Sequence, residues 1–464
     1  MAELIHGQCP AAVILADAAR NLGSSEDWSA RLHITGREEL PSCFPVTDLA
    51  LASVGAAGLA LADLLAESGE RSAPVTIDVH LALAWFLYSL SPLGWSPPGP
   101  WDPIAGDYPT ADRWIKLHTN APHHRDAALR VLGCAGEREA VAAAVSTWRG
   151  EALESAIVEA GGCATLMRTQ AEWHKHSQGR AVAAEPLIAL TRADASAKRA
   201  WRPDPARPLL GIRVLDLTRV LAGPVATRFL AGLGADVLRI DPPTWNEPGV
   251  VPDVTLGKRC AGLDLRDGDD RRRLEYLLAD ADILVHGYRP GALEGLGLGE
   301  ARRRALNPVL IDVSLCAWGW TGPWSGRRGF DSLVQMASGI TEEGMCWKAA
   351  DKPVPLPVQA LDHATGYLMA ASALRGLALR LREQIAITAC LSLARTAAAL
   401  VGSGGGQTGG AAFGGMDKAD YSEAVEQTSW GAARRLRPPV SIGDVTLHWD
   451  RAASELRSVP AEWL

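Results

Sequence analysis

The sequence predicts an α/β protein organised around a parallel sheet, and three observations support this prediction. Residues 211–241 (GIRVLDLTRVLAGPVATRFLAGLGADVLRID) hold two short apolar runs that flank a stretch with apolar residues at helical spacing. Residues 42–70 predict an alanine-rich apolar helix with Asp48 at its start, and residues 106–119 have the pattern of a strand, a turn and a strand. Helical patterns follow over residues 125–160, so a smaller α+β unit is expected beside the parallel sheet.

Local signals place the remaining elements. VTIDVHLALAWF (75–86) predicts a strand after the first long helix. The proline-rich segment 202–208 is interpreted as a connector before the parallel unit. Within that unit, Pro224 suits the first turn of a helix and Gly234 suits its end. Residues 401–415 are rich in glycine, a composition typical of a flexible loop or linker.

The turn between the first strand and helix of the parallel unit has the chemistry of an anion site. Backbone N–H groups and the positive end of the helix dipole meet at such a helix N-terminus. The glycines there do not fit G-x-G-x-x-G, so a nicotinamide cofactor is not indicated. GLGLGE (295–300) has alternating glycines, but no strand precedes it, and it is interpreted as a turn.

Length and charge bound the class of protein. A chain of 464 residues with 47% hydrophobic and 21% charged residues can form two or three domains with a large core. A net charge of -7 argues against a nucleic-acid-binding surface. The arginine runs 271–273 and 302–304 lie on predicted helices beside acids and are interpreted as solvated helix faces.

The cysteines and the N-terminal residues indicate a cytoplasmic protein. Eight cysteines are scattered singly, with no C-x-x-C and no ligand-like spacing with histidine, so neither a disulfide framework nor a metal site is expected. The start of the chain, MAELIHGQCPAAVILADAAR, carries acids and lacks the basic start of a signal peptide. Charges break the apolar stretches short of a membrane span, so no membrane association is expected.

The amino-acid sequence of the parallel unit resembles that of a known family. LDLTRVLAGP followed by LGADVLRID is similar to the start of the class III CoA-transferases, which include formyl-CoA transferase, carnitine CoA-transferase and α-methylacyl-CoA racemase. The resemblance continues in register to residue 374 through the segments GKRCAGLDLR (257–266), ADILVHGYRPGALEGLGL (281–298), LNPVLIDVSLCAWGWTGPW (306–324), GFDSLVQMASGI (329–340) and LDHATGYLMAASAL (361–374).

The residues before the connector resemble a different portion of the same family. VTDLALASVGAAGLALADLL with the following VTIDVHLALAWF is similar to its active-site helix and the strand and helix after it, while YPTADRWIKLHT and residues 150–182 resemble its small domain. The resemblance implies a Rossmann-like large domain and a smaller α+β domain, with the rear half of one copy ahead of the front half of another. The alternative is a single fold with an unusual order of parts.

Four domains follow from this interpretation. Residues 1–104 are expected to hold the active-site helix region of a first copy, and residues 105–200 a small α+β domain. Residues 208–400 would form the Rossmann-like CoA-binding domain, and residues 401–464 a glycine-rich loop and a C-terminal segment. Family members form interlocked dimers, so this chain could imitate the dimer alone or form a homodimer.

Asp362 is the catalytic residue that the resemblance implies. In the family, the aspartate at this place attacks the acyl-CoA thioester, the released thiolate converts the anhydride into an aspartyl-CoA thioester, and the acceptor acid takes the CoA. The alternative is that Asp362 only caps the long apolar helix that follows. Asp48 stands in the equivalent place of the upstream helix and is a second candidate, for which capping is favoured.

Phe330 separates the transferase interpretation from the racemase interpretation. The racemase branch has a histidine at this place, and proton transfer requires a titratable group that phenylalanine lacks. His363 lies beside Asp362, but adjacent helix residues point in different directions. His363 is therefore interpreted as a satisfied or surface histidine.

The CoA site is carried over position by position from the resemblance. The expected CoA-binding residues are Val220, Leu221, Ala222, Lys258, Gly287 and Tyr288. Pro242 and Gly295 stand where formyl-CoA transferase has arginines, and arginine suits a polyphosphate site. The arginines that could compensate are Arg239, Arg259 and Arg289. An ordinary basic turn is the alternative for Lys258.

Two further segments are assigned through the resemblance. In formyl-CoA transferase a glycine-rich lid covers the acyl site. The residues of this chain that resemble it are Gly404, Gly405, Gly406 and Gln407. A plain linker is the alternative for this segment. The family places the segment with Trp318, Trp320 and Trp324 near the acyl pocket.

The predicted function is transfer of CoA from an acyl-CoA to a carboxylic acid through an aspartyl intermediate. Acyl-CoA and a carboxylic acid are the expected small-molecule partners, and no permanently bound cofactor is expected. The alternatives are a catalytically silent acyl-CoA-binding paralogue or partner subunit, and an acyl-CoA isomerase or racemase of the same fold.

Overall fold

The computed structural model describes residues 3–4, 9–24, 26–69, 73–194, 201–404 and 410–464. The helices are α1 (Pro10–Asn21), α2 (Val46–Glu67), α3 (Val79–Trp85), α4 (Pro122–Leu132), α5 (Arg138–Ser146), α6 (Gly150–Glu159), α7 (Gln170–Lys175), α8 (Ser177–Ala184), α9 (Ala222–Gly232), α10 (Val251–Val254), α11 (Gly268–Ala279), α12 (Ala292–Gly295), α13 (Glu300–Leu306), α14 (Asp331–Ala337), α15 (Ile340–Trp347), α16 (Ala360–Glu383) and α17 (Leu393–Gly402). Two 3-10 helices are Ser29–Arg31 and Lys418–Asp420.

The strands run through the whole chain and pair in several sheets. They are β1 (Glu3–Leu4), β2 (Leu32–Thr35), β3 (Glu38–Glu39), β4 (Val75–Asp78), β5 (Leu90–Pro92), β6 (Gly106–Pro109), β7 (Trp114–Leu117), β8 (Ala164–Leu166), β9 (Ala189–Asp194), β10 (Arg213–Leu217), β11 (Asp236–Asp241), β12 (Lys258–Gly262), β13 (Ile283–His286), β14 (Ile311–Cys316), β15 (Ile385–Ser392), β16 (Ala411–Ala412), β17 (Tyr421–Thr428), β18 (Gly431–Leu436) and β19 (Val440–Ile442).

The main sheet confirms the predicted α/β class. Among the described residues its seven strands have the order β12-β11-β10-β13-β14-β15-β9. All neighbours are parallel except β15 and β9, which pair antiparallel at one edge. The strand, helix and strand predicted within residues 211–241 are β10, α9 and β11, and their register pairs Arg213 with Asp236.

Two long buried helices, α2 and α16, occupy the middle of the protein and pack against each other. α16 also packs against α9 and against strands β14 and β15 of the main sheet. α2 packs against β4 and β19 of a second sheet, whose order is β1-β2-β4-β19. Both helices are buried over most of their surface because each lies between another helix and a sheet.

The two long helices begin with the same backbone geometry. Pro45 has φ -77° and ψ 64°, and Gln359 has φ -73° and ψ 63°. The amide N–H of the residue after each donates to a carbonyl two positions back, at 2.8 Å in both cases. A strand and a shorter helix follow each long helix, β4 and α3 in one case and β15 and α17 in the other.

The small α+β unit contains strands β6, β7 and β8 and helices α4, α5 and α6. The strands form an antiparallel sheet in the order β6-β7-β8, and β6 and β7 are the strand, turn and strand predicted within residues 106–119. Its apolar side chains form a core of their own, which includes Ile115, Val141 and Leu153. The unit also contacts α14.

The C-terminal residues return to the first part of the chain. β19 pairs with β4, β18 pairs with β5 and β16 pairs with β3. Residues 410–464 therefore complete sheets that begin before residue 93.

Three sequence-based predictions are corrected here. The strand predicted over residues 75–86 ends at Asp78, because the Asp78 carboxylate accepts a hydrogen bond from Leu81 N (3.1 Å) and starts α3. Arg303 is buried and pairs with Asp312 (2.8 Å), so the run 302–304 is not wholly a solvated face. Within the described residues, α2 is long and apolar enough to cross a membrane, although 94% of its most apolar window is buried inside the protein.

Candidate active site

The predicted CoA-binding turns meet at the carboxyl edge of the main sheet. β10 lies between β11 and β13, so the turn at Val220 follows one strand and Gly287 and Tyr288 follow its neighbour. In α/β sheets, ligands bind in the crevice at the carboxyl ends of strands where the strand order changes direction. The structure brings these predicted residues together at such a point.

Arg219 lies in this crevice and was not singled out from the sequence. Its guanidinium lies over the Trp245 ring at 4.9 Å and over the Tyr288 ring at 5.5 Å. One terminal nitrogen is 3.4 Å from the Tyr288 hydroxyl, and the buried Nε has no hydrogen-bond partner. The signal in the sequence was a cation directly before the turn, but its two aromatic neighbours come from separate loops. Arg219 places positive charge where an anion would meet the helix N-terminus.

Val220 has a strained backbone. Its φ of 64° is in the left-handed region, which a β-branched residue rarely adopts. Its amide N–H donates to Glu247 Oε2 at 2.9 Å, and this carboxylate also accepts from the Trp245 indole. The loop that holds Trp245 thus fixes the turn before α9.

Lys258 does not occupy the position expected for a phosphate ligand. It is buried, with Nζ 3.0 Å from Asp216 Oδ2 and 3.0 Å from the Pro224 carbonyl oxygen. Burial lowers the pKa of Lys258 to about 8. Lys258 forms an ion pair with Asp216 beneath α9, so its charge is already neutralised inside the protein. The prediction that Lys258 contacts CoA phosphates therefore does not match this structure.

Two of the three arginines proposed as substitutes are also engaged. Arg239 is buried and pairs with Asp241 at 2.8 Å, and Arg259 pairs with Asp236 at 2.9 Å. Arg289 is exposed and forms no ion pair within the part of the chain that the structure describes. Arg219 and Arg289 are therefore the cations available at this edge.

Asp362 is buried in the first turn of α16, with 7% of its surface exposed. Its amide N–H donates to Asp331 Oδ2 at 3.0 Å, and its own carboxylate accepts no hydrogen bond from the described residues. The capping alternative is wrong, because no side chain caps α16 and the position before the helix is Gln359. Burial, together with the nearby Asp331 charge, raises the pKa of Asp362 well above its ordinary value.

Asp331, which accepts the hydrogen bond from Asp362 N, was not singled out from the sequence. It directly follows Phe330 in the segment GFDSLVQMASGI (329–340). Its carboxylate accepts from the Gln335 amide, and Gln335 in turn accepts from Leu356 N at 2.8 Å. Burial raises the pKa of Asp331 to about 6. Two buried carboxyl groups thus lie together at the start of α16.

Asp48 has a different environment. Its carboxylate accepts a hydrogen bond from Ala11 N (3.2 Å) in the first turn of α1, and no side chain caps α2. Asp48 therefore accepts a hydrogen bond from a backbone N–H at the start of the neighbouring helix α1. The prediction that it caps its own helix, α2, is wrong. Burial also raises the pKa of Asp48, but Asp362 alone of the two has a carboxylate free of hydrogen bonds among the described residues.

Residues 209–425 match the family model described as CoA-transferase family III. The matched residues of this chain are similar to CoA-transferase family III and hold β10, α9, β11 and α16. It is similar to a probable fatty acyl-CoA transferase of Mycobacterium tuberculosis, with 36% identity over 197 residues that cover 39% of this chain and 50% of the relative. A succinyl-CoA:glutarate CoA-transferase of Mus musculus is 34% identical over 192 residues, which cover 39% of this chain and 44% of the relative.

The chain spans about half the length of the curated relatives that it matches. A crystal structure of the Mycobacterium tuberculosis protein aligns with 43% of this chain and 58% of its own, at 31% identity and a TM-score of 0.37.

His363 is buried against Phe86, with a ring-centroid distance of 5.0 Å. Neither ring nitrogen has a hydrogen-bond partner among the described residues, so the interpretation as a satisfied or surface histidine is wrong. Burial lowers the pKa of His363 to about 3, which keeps the imidazole neutral.

The three tryptophans assigned near the acyl pocket have separate surroundings. The Trp318 indole donates to the Arg328 carbonyl oxygen at 2.9 Å, and the Trp324 ring lies under the Arg327 guanidinium at 4.2 Å. Trp320 donates to the Leu391 carbonyl oxygen and borders a cavity of about 320 Å³. All three follow β14 at the carboxyl edge of the main sheet.

Only Gly404 of the predicted lid is described, with φ 71° and no atom within 4 Å of an added Cβ. Gly405, Gly406 and Gln407 lie outside the described residues. In the part of the chain that the structure describes, no group of three histidine, cysteine or acidic side chains could hold a metal ion.

Proposed function

We propose that this protein transfers CoA from an acyl-CoA to a carboxylic acid, with Asp362 as the nucleophile. The single observation that carries the proposal is a buried carboxylate without hydrogen bonds beside the turn at the end of β10. Gly366, one helical turn after Asp362, lies so close to α9 that a Cβ there would be 2.4 Å from the Ala222 carbonyl oxygen. The N-terminal ends of α16 and α9 are therefore neighbours, and the start of α9 packs against α16 one helical turn after Asp362.

The chemistry follows from the position of this carboxylate. An Asp362 oxygen attacks the thioester carbonyl carbon, the C–S bond breaks and CoA leaves as the thiolate, which gives an acyl-aspartyl anhydride. The thiolate attacks the aspartyl carbonyl carbon and releases the donor acid, leaving an aspartyl-CoA thioester. The acceptor carboxylate then attacks that thioester, and the displaced thiolate takes the acceptor acyl group from the new anhydride and restores Asp362. Water must be excluded from both anhydrides, which fits a buried position.

Asp331 would set the reactivity of Asp362. The carboxyl groups of Asp331 and Asp362 do not both ionise readily, because a negative charge on one opposes ionisation of the other in a buried site. Only the ionised form of Asp362 is nucleophilic. Once formed, it is poorly solvated and has no hydrogen bond to weaken it, so it reacts well with a thioester.

The crevice at β10 and β13 would hold the nucleotide end of CoA. Positive charge would come from the backbone N–H groups at the start of α9 and from the guanidiniums of Arg219 and Arg289. It would replace the two arginines of formyl-CoA transferase at the positions of Pro242 and Gly295. The relatives named for glutarate and for fatty acyl groups suggest aliphatic acids as the first compounds to test.

An acyl-CoA-binding protein without turnover is the second candidate, in keeping with Pro242 and Gly295 in place of the two arginines of formyl-CoA transferase. The racemase alternative has less support, because Phe330 has no proton to exchange. We further propose a cytoplasmic location and a homodimer, in keeping with the expectations from the sequence and the resemblance.

The decisive experiment is trapping of the acyl-enzyme. The protein is incubated with succinyl-CoA or hexanoyl-CoA in the presence of hydroxylamine, and the modified peptide is identified by mass spectrometry. We expect a hydroxamate at Asp362, none in Asp362→Asn, and an unchanged yield in Asp48→Asn. Binding of CoA without any hydroxamate would favour the silent paralogue, and an adduct at Asp48 would overturn the assignment of the nucleophile.

A further inference from the structure

Two histidines of the small α+β unit lie against Phe330, one residue before Asp331. The His118 ring stacks on the Phe330 ring with a centroid distance of 3.7 Å and an interplanar angle of 0°. The His124 ring meets the same ring edge-on at 5.8 Å. Both histidines are buried, and the mechanism above uses neither of them.

Both imidazoles have a ring nitrogen without a partner. Nδ1 of His118 and Nδ1 of His124 are buried and form no hydrogen bond with the described residues. An unpaired polar atom in a protein interior is unfavourable and uncommon. Both unpaired nitrogens belong to rings that contact Phe330, so a polar group bound near Phe330 would satisfy them.

The tautomer of His124 defines the kind of group. Burial raises the pKa of the Cys163 thiol to about 12, so the sulfur keeps its proton. Cys163 Sγ is 3.6 Å from His124 Nε2, and a protonated thiol donates to that nitrogen. Burial also lowers the pKa of His124 to about 3, so the neutral ring carries its proton on Nδ1. The free Nδ1–H of His124 therefore needs an acceptor.

Positive charge borders the same place. Arg328 is exposed and forms no ion pair within the described part of the chain, while its carbonyl oxygen is fixed by the Trp318 indole. Burial lowers the pKa of His123, and the charges of Arg328 and Arg219 lower it further. His123, which directly precedes His124, is thus within electrostatic reach of both Arg219 and Arg328. The Asp126 carboxylate has the opposite effect and raises the pKa of His123.

We propose that His118, His124 and Arg328 form a carboxylate site, which holds the acceptor acid beside Asp362. A carboxylate supplies the acceptor oxygens that His124 Nδ1–H and the Arg328 guanidinium lack. Phe330 directly precedes Asp331, whose carboxylate accepts from Asp362 N, so the site adjoins the Asp331–Asp362 pair. The ligand class is a small aliphatic carboxylic acid, and the inference rests on the proposed CoA transfer.

The test measures acceptor binding separately from catalysis. Binding of glutarate, acetate and inorganic phosphate to the full chain is followed by calorimetry for wild type, Arg328→Gln and His124→Asn. Arg272→Gln and His174→Asn are the matched controls, because both residues are exposed and lie elsewhere. We expect Arg328→Gln to weaken glutarate or acetate binding about tenfold or more, with acyl-CoA affinity and the yield of Asp362 hydroxamate unchanged. Because Arg328 is exposed, this variant keeps the test valid if His124→Asn fails to fold.

The outcomes separate the site from the proposed reaction. Carboxylate binding that depends on Arg328 without any Asp362 adduct would retain the site and reject the transferase mechanism. An adduct at Asp362 with carboxylate binding insensitive to both substitutions would reject the site. An equal loss of acyl-CoA affinity, or tighter binding of phosphate than of either carboxylate, would assign Arg328 to CoA and overturn the inference.

Discussion

Asp331 and Asp362 meet through a backbone hydrogen bond between two segments 31 positions apart. Because burial and the Asp331 charge both raise the pKa of Asp362, we expect kcat/KM to rise with pH as the pair loses its proton. Asp331→Asn removes that charge but keeps an oxygen that can accept from Asp362 N. The acid limb of the rate of hydroxamate formation should therefore move to lower pH.

The control for this pH profile is Asp126→Asn, which removes an exposed charge from α4. Its acid limb should coincide with that of the wild type. If Asp331→Asn also leaves the limb in place, Asp331 does not control the ionisation of Asp362.

The same carboxylate should reduce stability. A carboxyl group whose pKa is raised by folding contributes stability that is complete below its unfolded value and is lost as pH rises through the folded value. Asp362→Asn removes the buried charge, so we expect its free energy of unfolding to exceed that of the wild type by about 1 kcal/mol at pH 8. Urea unfolding at pH 8 and at pH 4 measures this difference, which should shrink at the lower pH. A variant less stable than wild type at pH 8 would contradict an unfavourable buried charge at Asp362.

Single residues were predictable where a motif named them and where their partners lay nearby in sequence. Asp362 could be named as a candidate from the family resemblance, and the turn at Val220 could be placed from the strand before it. Asp331, Arg219 and His118 could not be named as candidates, because each is distinguished only by its contact with a residue on another segment.

At the scale of elements, the contact between α9 and α16 depends on a residue without a side chain. A Cβ at Gly366 would lie 2.4 Å from the Ala222 carbonyl oxygen and 2.8 Å from Val225 Cβ, and backbone cannot move aside cheaply. We expect Gly366→Ala to lower the free energy of unfolding by about 1–3 kcal/mol. It should also slow hydroxamate formation, because the first turns of the two helices separate.

Gly402→Ala is the matched control, since Gly402 is also helical and no atom lies within 4 Å of its added Cβ. This variant should keep wild-type stability or gain slightly from the better helix propensity of alanine. Equal effects of the two substitutions would show that crowding at α9 is not the cause.

The parallel unit could be predicted from sequence because its signals are local, with a strand, a helix and a strand in one short stretch. The pairing of α2 with α16 could not be predicted, because helices that are apolar around most of their surface give no direction for packing. The helix α3 was missed because a buried short helix and a buried strand have similar apolar runs.

At the scale of the whole molecule, a buried charge network joins three distant parts of the chain. The Asp253 carboxylate pairs with Arg228 at 2.7 Å and with Arg435 at 3.4 Å, and it accepts from Ser89 N at 3.0 Å. Arg435 also pairs with Glu426 at 2.9 Å. Removal of one member leaves uncompensated charge in the interior, which is far more harmful than loss of an exposed pair.

We therefore expect Arg435→Met to lower the free energy of unfolding by about 3–5 kcal/mol. Arg434→Met changes the neighbouring residue, which forms no ion pair among the described residues, and should stay within about 0.5 kcal/mol of wild type. Urea unfolding measured by tryptophan fluorescence provides both values. A small effect of Arg435→Met would show that the network is not needed to hold the C-terminal strands.

The sequence could not reveal how the last strands pair, because β19 and β4 are separated by more than 360 positions and each holds only a few residues. The sequence led us to expect a rear family-like part ahead of a front one, but such an order does not specify which sheets the C-terminal residues complete.

That pairing has a consequence during synthesis of the protein. α2 is translated as a long apolar helix well before β19, the strand that covers part of it. Until β19 has emerged, the nascent chain must therefore expose part of this apolar helix, and the Arg228–Asp253 pair still lacks Arg435 and Glu426. We expect chaperones that bind exposed hydrophobic surface to hold the nascent chain until β19 has been translated.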